Sequence, residues 1–215
     1  MAYDKQNNDQ PSLVDHYLQY ISEKQSRPGS IYALAKHLGQ DKETIQRDYK
    51  TIAELESELW GSFIEKTFLR LNAEPAYAEY VARERLLAFY FTLLEVIAPY
   101  RAYIKLVPLS TSVFNLGTNV FADFKKAFLT YTHSLVELGM ETGEVEKRMF
   151  VTDKYNEALW AQCLFILNFW LKDTSENFEK TDEAVERSVN LSLDLMARGP
   201  IDSLLEFGQF LFKNR

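Results

Sequence analysis

The chain has 215 residues, with 24 Lys plus Arg against 31 Asp plus Glu, a formal net charge of -7 and 47% apolar residues. This composition excludes a disordered chain and supplies enough apolar mass for one domain, or one domain with a small appendage. A single cysteine, Cys163, and three scattered histidines leave no intramolecular disulfide and no Cys/His zinc set, which points to an intracellular, cytoplasmic protein.

Residues 1–12 carry acids and lack an apolar core, so they read as a frayed tail rather than a secretory signal or a basic transit peptide. Ser12 then caps a first helix whose stripe is Leu13, Val14, Tyr17, Leu18 and Ile21, ending near Lys24. The segment Ser26-Arg27-Pro28-Gly29 breaks it. Ser30 caps a short second helix with Ile31, Leu34, Ala35 and Leu38 on one side, stopped by Gly39. Asp41 caps a third short helix, in which Ile45 and Tyr49 lie four apart and share a face. Thr51 with Glu54 forms a capping-box pattern for a long fourth helix through Leu55, Leu59, Phe63 and Ile64 to about Leu71.

Further helices are predicted over 77–98, ended by Pro99, over 101–107, ended by Pro108, and over 117–138, with a loop over 139–143. Two long helices follow, roughly 153–171 and 179–198, and then a short one over 201–212 after Gly199-Pro200. Hairpin turn signals are almost absent, and no repeat or long linker interrupts the pattern. The runs 86–97 and 159–171 are apolar on nearly every side, so they belong inside protein, and both fall short of the roughly 20 residues a membrane span needs. The fold class is all-α, with nine or ten helices.

Three short helices with a tight glycine turn between the second and third have the dimensions of a helix-turn-helix unit. Ala35, Gly39 and Ile45 stand where that unit wants a small residue, a left-handed turn and an apolar anchor. The string from Ile31 to Leu55 resembles the N-terminal signature of the TetR family of transcriptional regulators, matching at Ala35, Leu38, Gly39, Thr44, Ile45, Tyr49 and Leu55. The resemblance covers about the first 65 residues by motif and the remainder by helix count and length. It implies a helix-turn-helix over residues 1–50, a connecting fourth helix over 51–71, and a ligand-binding and dimerisation domain over 72–215. It also implies a homodimer through the last two long helices, where Trp160 and Trp170 suit either an interface or the core.

Three positions depart from the family pattern. Glu43 stands where a small residue is usual, Gln46 where a phosphate-contacting tyrosine is usual, and Ile52 where a phosphate-contacting lysine is usual. Residues 1–60 hold seven basic and ten acidic residues, a poor balance for neutralising phosphate, but the stretch 36–50 holds four basic and three acidic ones. If operator DNA is bound, Lys36, Lys42, Arg47 and Lys50 are the candidates for phosphates, Thr44 and Gln46 for base edges, and Tyr49 for a further contact, although packing alone explains a tyrosine there.

Aromatic residues are frequent from Tyr77 onward, and Phe121, Phe124 and Phe128 follow one-face spacing. With Phe89, Leu93, Trp160, Gln162 and Cys163 they are the candidate lining for an apolar or lipid-like small-molecule effector. Cys163 also reads as a small apolar filler, and Gln162 and Asn168 as internally bonded amides. No phosphate loop, nucleophile elbow or metal-ligand pattern occurs, so neither an enzyme nor a cofactor nor a metal is expected. Two functions remain open: a ligand-responsive DNA-binding regulator, or a lipid-binding or scaffold protein of the same fold that has lost DNA binding.

Overall fold

The computed structural model describes residues 12–107, 120–148, 152–197, 199, 210, 211 and 213, apart from the side chains of Lys42, Thr152 and Asp153. Side-chain caps set where the first four helices begin. In α1 (Leu13–Lys24) the Ser12 hydroxyl accepts the Asp15 N–H while the Asp15 carboxylate accepts the Ser12 N–H at 2.8 Å. Ser30 caps α2 (Ile31–Leu38) by accepting from Ala33 N–H, and Asp41 caps α3 (Lys42–Asp48) by accepting from Glu43 N–H. Thr51 caps α4 (Ile52–Ala73) through Glu54 N–H, but the Glu54 carboxylate accepts the N–H of Lys50, one residue before the cap, at 2.7 Å. The box expected at Thr51 is therefore opened by one residue. Between α2 and α3 the chain turns at Gly39 with φ +65°, a conformation in which a Cβ would be strained.

The remaining helices are α5 (Ala82–Ile97), α6 (Arg101–Ile104), α7 (Ala122–Thr142), α8 (Thr152–Lys172) and α9 (Glu179–Met196), and no strand occurs among the described residues. α4 is the axis of the molecule: it buries Leu55, Leu59, Trp60, Phe63, Ile64 and Leu71 and packs on both α5 and α7. α9 packs on α5 and α8, and α8 on α7. Against this body α1 leans on α6, with the Tyr17 and Tyr103 rings edge to face at 5.9 Å.

Helix limits depart from the sequence expectation where distant side chains intervene. The helix expected over 77–98 is a short 3-10 turn at Pro75–Glu79 followed by α5 from Ala82. Glu144 accepts the N–H of Ala82 at 2.7 Å and of Arg83 at 3.3 Å, capping α5 from a distant loop, while the Arg85 guanidinium holds the carbonyls of Ala78 and Tyr80. The helix expected over 101–107 is α-helical only to Ile104 and ends in turns to Val107. Gly139, expected to open a loop, lies inside α7, which continues to Thr142. Glycine serves there for approach: a Cβ would stand 2.6 Å from Val145 Cγ2. The start of the helix expected at 117 and nearly all of that expected over 201–212 lie outside the described residues.

One buried charge ties the N-terminal helices to α4. Glu56 on α4 is fully buried and receives Arg27 as a bidentate pair, Nε to Oε1 at 2.7 Å and Nη2 to Oε2, with the Tyr17 hydroxyl donating to the same Oε1. Removing the cation leaves an uncompensated carboxylate in an apolar setting, so Arg27→Ala is expected to lower stability by about 3 kcal/mol in urea unfolding. The paired replacement Arg27→Met with Glu56→Met is expected to recover most of that loss; a cost below about 1 kcal/mol for Arg27→Ala would contradict the assignment.

Candidate DNA interface and helical body

On α3, Ile45 is buried against the core while Glu43, Thr44, Gln46 and Arg47 are exposed. At 100° per residue, Glu43 and Arg47 lie opposite Ile45, with Thr44 and Gln46 on either flank. Lys36 at the end of α2 and Lys50 before α4 are exposed as well. Lys36, Thr44, Gln46, Arg47 and Lys50 are thus all exposed, on α3 or on the segments that flank it; the Lys42 side chain lies outside the described residues. Tyr49 is half-buried and its hydroxyl donates to the Glu58 carboxylate at 2.6 Å, an arrangement that, with burial, pushes its pKa upward. Glu58 and Glu54 therefore occupy two donors on this surface, the Tyr49 hydroxyl and the Lys50 N–H.

In the body, the candidate effector residues separate into two groups. Phe121, Phe124 and Phe128 meet around Trp160, at 6.4, 6.1 and 5.8 Å, and the Trp60 ring adds to the cluster 4.7 Å from Phe121 and 5.5 Å from Phe124. Phe89 extends this cluster, 5.4 Å from Phe128, and leads to Phe68 and Tyr131. Phe89, Leu93, Phe124, Phe128 and Cys163 are fully packed, and Trp160 is half-buried. Gln162 points the other way: its amide accepts from the Tyr90 hydroxyl at 3.3 Å, donates to Ser192 on α9 at 3.2 Å and borders an outer groove. Glu95 pairs across the surface with Arg70 at 3.8 Å, while Arg101 instead holds the α8 terminus through the carbonyls of Trp170, Leu171 and Asp173.

Two open grooves mark the body. One, of about 770 Å³, runs between α8 and α9 and exposes Phe165, Leu191 and Leu195, which are 50%, 61% and 42% accessible. The other, of about 670 Å³, lies between α4 and α7 over Phe68, Tyr77 and Tyr131. Trp170, a candidate for an interface, is buried within its own subunit against Arg101 and Phe178. The apolar surface of the last two helices comes instead from Phe165, Leu191 and Leu195. Leu191 and Leu195 form a second stripe on α9, away from the buried Val185, Val189, Leu193 and Met196, and their four-residue spacing was a usable signal. Among the described residues no cluster of three or more His, Cys, Asp or Glu could hold a metal, and no helix is long and apolar enough to cross a membrane.

A glycine-turned helix-turn-helix joined by one long helix to an all-helical body defines a class of one-chain regulators in architecture. A family model for the tetracyclin repressor-like C-terminal domain matches residues 85–211, more than half of the chain, and the protein belongs to that family of regulators. The fold is similar to that of a protein of unknown function from Rhodococcus sp. RHA1, with a TM-score of 0.53 and 15% identity over 90% of this chain and 100% of that one. No curated protein matches the sequence.

Cys163 sits in the packed interior of α8, and burial pushes its thiol well above the ordinary cysteine value. A thiol-specific disulfide reagent is expected to leave the native protein unmodified and to label one equivalent after denaturation. Stoichiometric labelling of the native protein within minutes would show that the site opens.

Proposed function

We propose that the protein binds operator DNA as a homodimer, reads it with α3, and responds to an apolar small molecule taken up by the body. In this scheme residues 1–50 are the reader, 51–71 the connector and 72–215 the ligand-binding and dimerisation domain; the protein acts as a regulator rather than an enzyme. The observation that carries the reading is the exposure of Thr44, Gln46 and Arg47 on a helix whose opposite side is anchored by buried Ile45. Lys36, Lys42, Arg47 and Lys50 supply cations for phosphates, and Thr44 and Gln46 lie beside them for base edges. Glu58 holds the Tyr49 hydroxyl and Glu54 the Lys50 N–H, so in this scheme phosphate contact falls to the lysine and arginine side chains.

The apolar face of α8 and α9 suits a second copy: two such faces about a two-fold axis would cover Phe165, Leu191 and Leu195, and a two-fold dimer carries the two α3 helices that paired half-sites require. Phe124 and Phe128 are packed with Phe121 and Trp160, so in this scheme an apolar effector enters the cluster as these rings move apart, and any effector that prefers one separation of the α3 helices shifts the population between them. The second reading, a lipid-binding or scaffold protein without DNA, is favoured by the acidic surroundings of α3, where Asp41, Glu43 and Asp48 are all exposed.

Fluorescence anisotropy of the full chain on duplexes from upstream of its own gene separates the two. The regulator is expected to bind saturably, to weaken steeply between 50 and 200 mM salt as phosphate-binding proteins do, and to show a smaller salt slope by about one in Arg47→Ala. No binding at low salt would favour the second reading. Leu191→Glu, which places a charge in the apolar groove, is expected to sediment as a monomer where the unaltered chain sediments as a dimer; an unchanged sedimentation coefficient would place the interface elsewhere.

A further inference from the structure

We infer that Glu43 is a base-reading residue, whose carboxylate accepts a hydrogen bond from the N4 amino group of a cytosine in each half-site. The inference rests on the DNA-binding reading above and specifies one base of the operator. It starts from how the carboxylates of the reader are used. Asp15 is held by Ser12, Glu23 by Gln19 and His37, Glu54 by the Lys50 N–H, Glu56 by Arg27 and Tyr17, and Glu58 by Tyr49, while Asp41 caps α3. The carboxylates of Glu43 and Asp48, in contrast, make no hydrogen bond or ion pair among the described residues; Asp48 ends α3, whereas Glu43 stands on its first turn opposite buried Ile45.

That position shares the outward face of α3 with Arg47, and in a helix-turn-helix the N-terminal residues of this helix are those that meet base edges. A bare carboxylate carried into the major groove is repelled by the phosphates on both walls unless a donor meets it. Guanine and thymine offer only acceptors and a methyl group there, so the available donors are the amino groups of cytosine and adenine. Adenine sets its N7 acceptor beside the amino group and opposes the second carboxylate oxygen, whereas cytosine has no acceptor on that edge. Glu43 therefore selects cytosine, and it rejects thymine by leaving the carboxylate facing a carbonyl oxygen. Its negative charge also weakens nonspecific association with the phosphate backbone, so the residue trades general affinity for discrimination.

The test is selection of binding sites from a randomised duplex library by the full-length chain and by Glu43→Ala and Glu43→Gln, followed by anisotropy on the enriched duplex and on its single-position variants. The unaltered protein is expected to enrich a cytosine at one position of each half-site and to lose about tenfold affinity when that C·G pair becomes T·A. Glu43→Ala is expected to bind the same duplex while losing preference at that one position, and Glu43→Gln to shift the preference toward adenine, which an amide can engage through N6 and N7. Enrichment of one and the same site by all three proteins, with equal discrimination at every position, would overturn the role of Glu43 and leave DNA binding standing. Failure of the unaltered chain to enrich any sequence would overturn both. Because Glu43 is exposed, unchanged circular dichroism of the variants is the expected control for folding.

Discussion

The Glu56 carboxylate is the point on which the arrangement of the N-terminal helices turns. It is fully buried on α4, and an ionised carboxylate in that setting is tolerated only while Arg27 and Tyr17 stay on it. Arg27 belongs to the segment between α1 and α2, and Tyr17 to α1, so two separate pieces of chain are fixed to one turn of the long helix. The loop cannot swing away without stranding the charge. Burial and the neighbouring carboxylate raise the Tyr17 pKa, so its hydroxyl keeps the proton it donates.

From that point the geometry extends in two directions. Toward the proposed reader, α2 and α3 follow within a few residues, and Ile45 and Tyr49 pin α3 through the core and through Glu58. Toward the body, Tyr17 rests on Tyr103 of α6, and one residue beyond Glu56 the Ser57 hydroxyl exchanges hydrogen bonds with Asp123 at the start of α7, at 2.9 and 3.2 Å. The aromatic cluster begins at Trp60, one turn further on. Within about ten residues α4 therefore touches the elements that hold the proposed reader and those that enclose the proposed effector residues. A change in packing around Trp60, Phe121 and Phe124 has a short mechanical path to α3, which is what a population shift between two reader separations requires.

Much of the architecture was legible in the chain because it is written in local chemistry. Ser12, Ser30, Asp41 and Thr51 start helices by bonding N–H groups two or three residues away, and Gly39 turns because of its own φ; such features need no knowledge of the rest of the fold. What was not legible depends on distant partners. Glu144 sets the start of α5 from more than sixty residues away, and Gly139 is a glycine because Val145 folds back on it. Glu56 and Arg27 looked like members of a surface charge count, and only their juxtaposition makes them a buried pair. The spacing of Phe121, Phe124 and Phe128 identified one interior face, while the rings that meet it, Trp160 against all three and Trp60 against the first two, lie on other helices. Gln162 and Cys163 are adjacent in sequence and about 100° apart around α8, so one borders the outer groove and the other the core.

Native-state hydrogen exchange, followed residue by residue at rising urea below the unfolding transition, tests most directly whether the reader is fastened to the body as one unit. The account predicts that amides in α1 and in the first half of α4 open together, with a free energy matching that of amides in the α5–α7 body. Exchange of α1–α3 through a separate opening of much lower free energy, with the amides around Glu56 still protected, would contradict it.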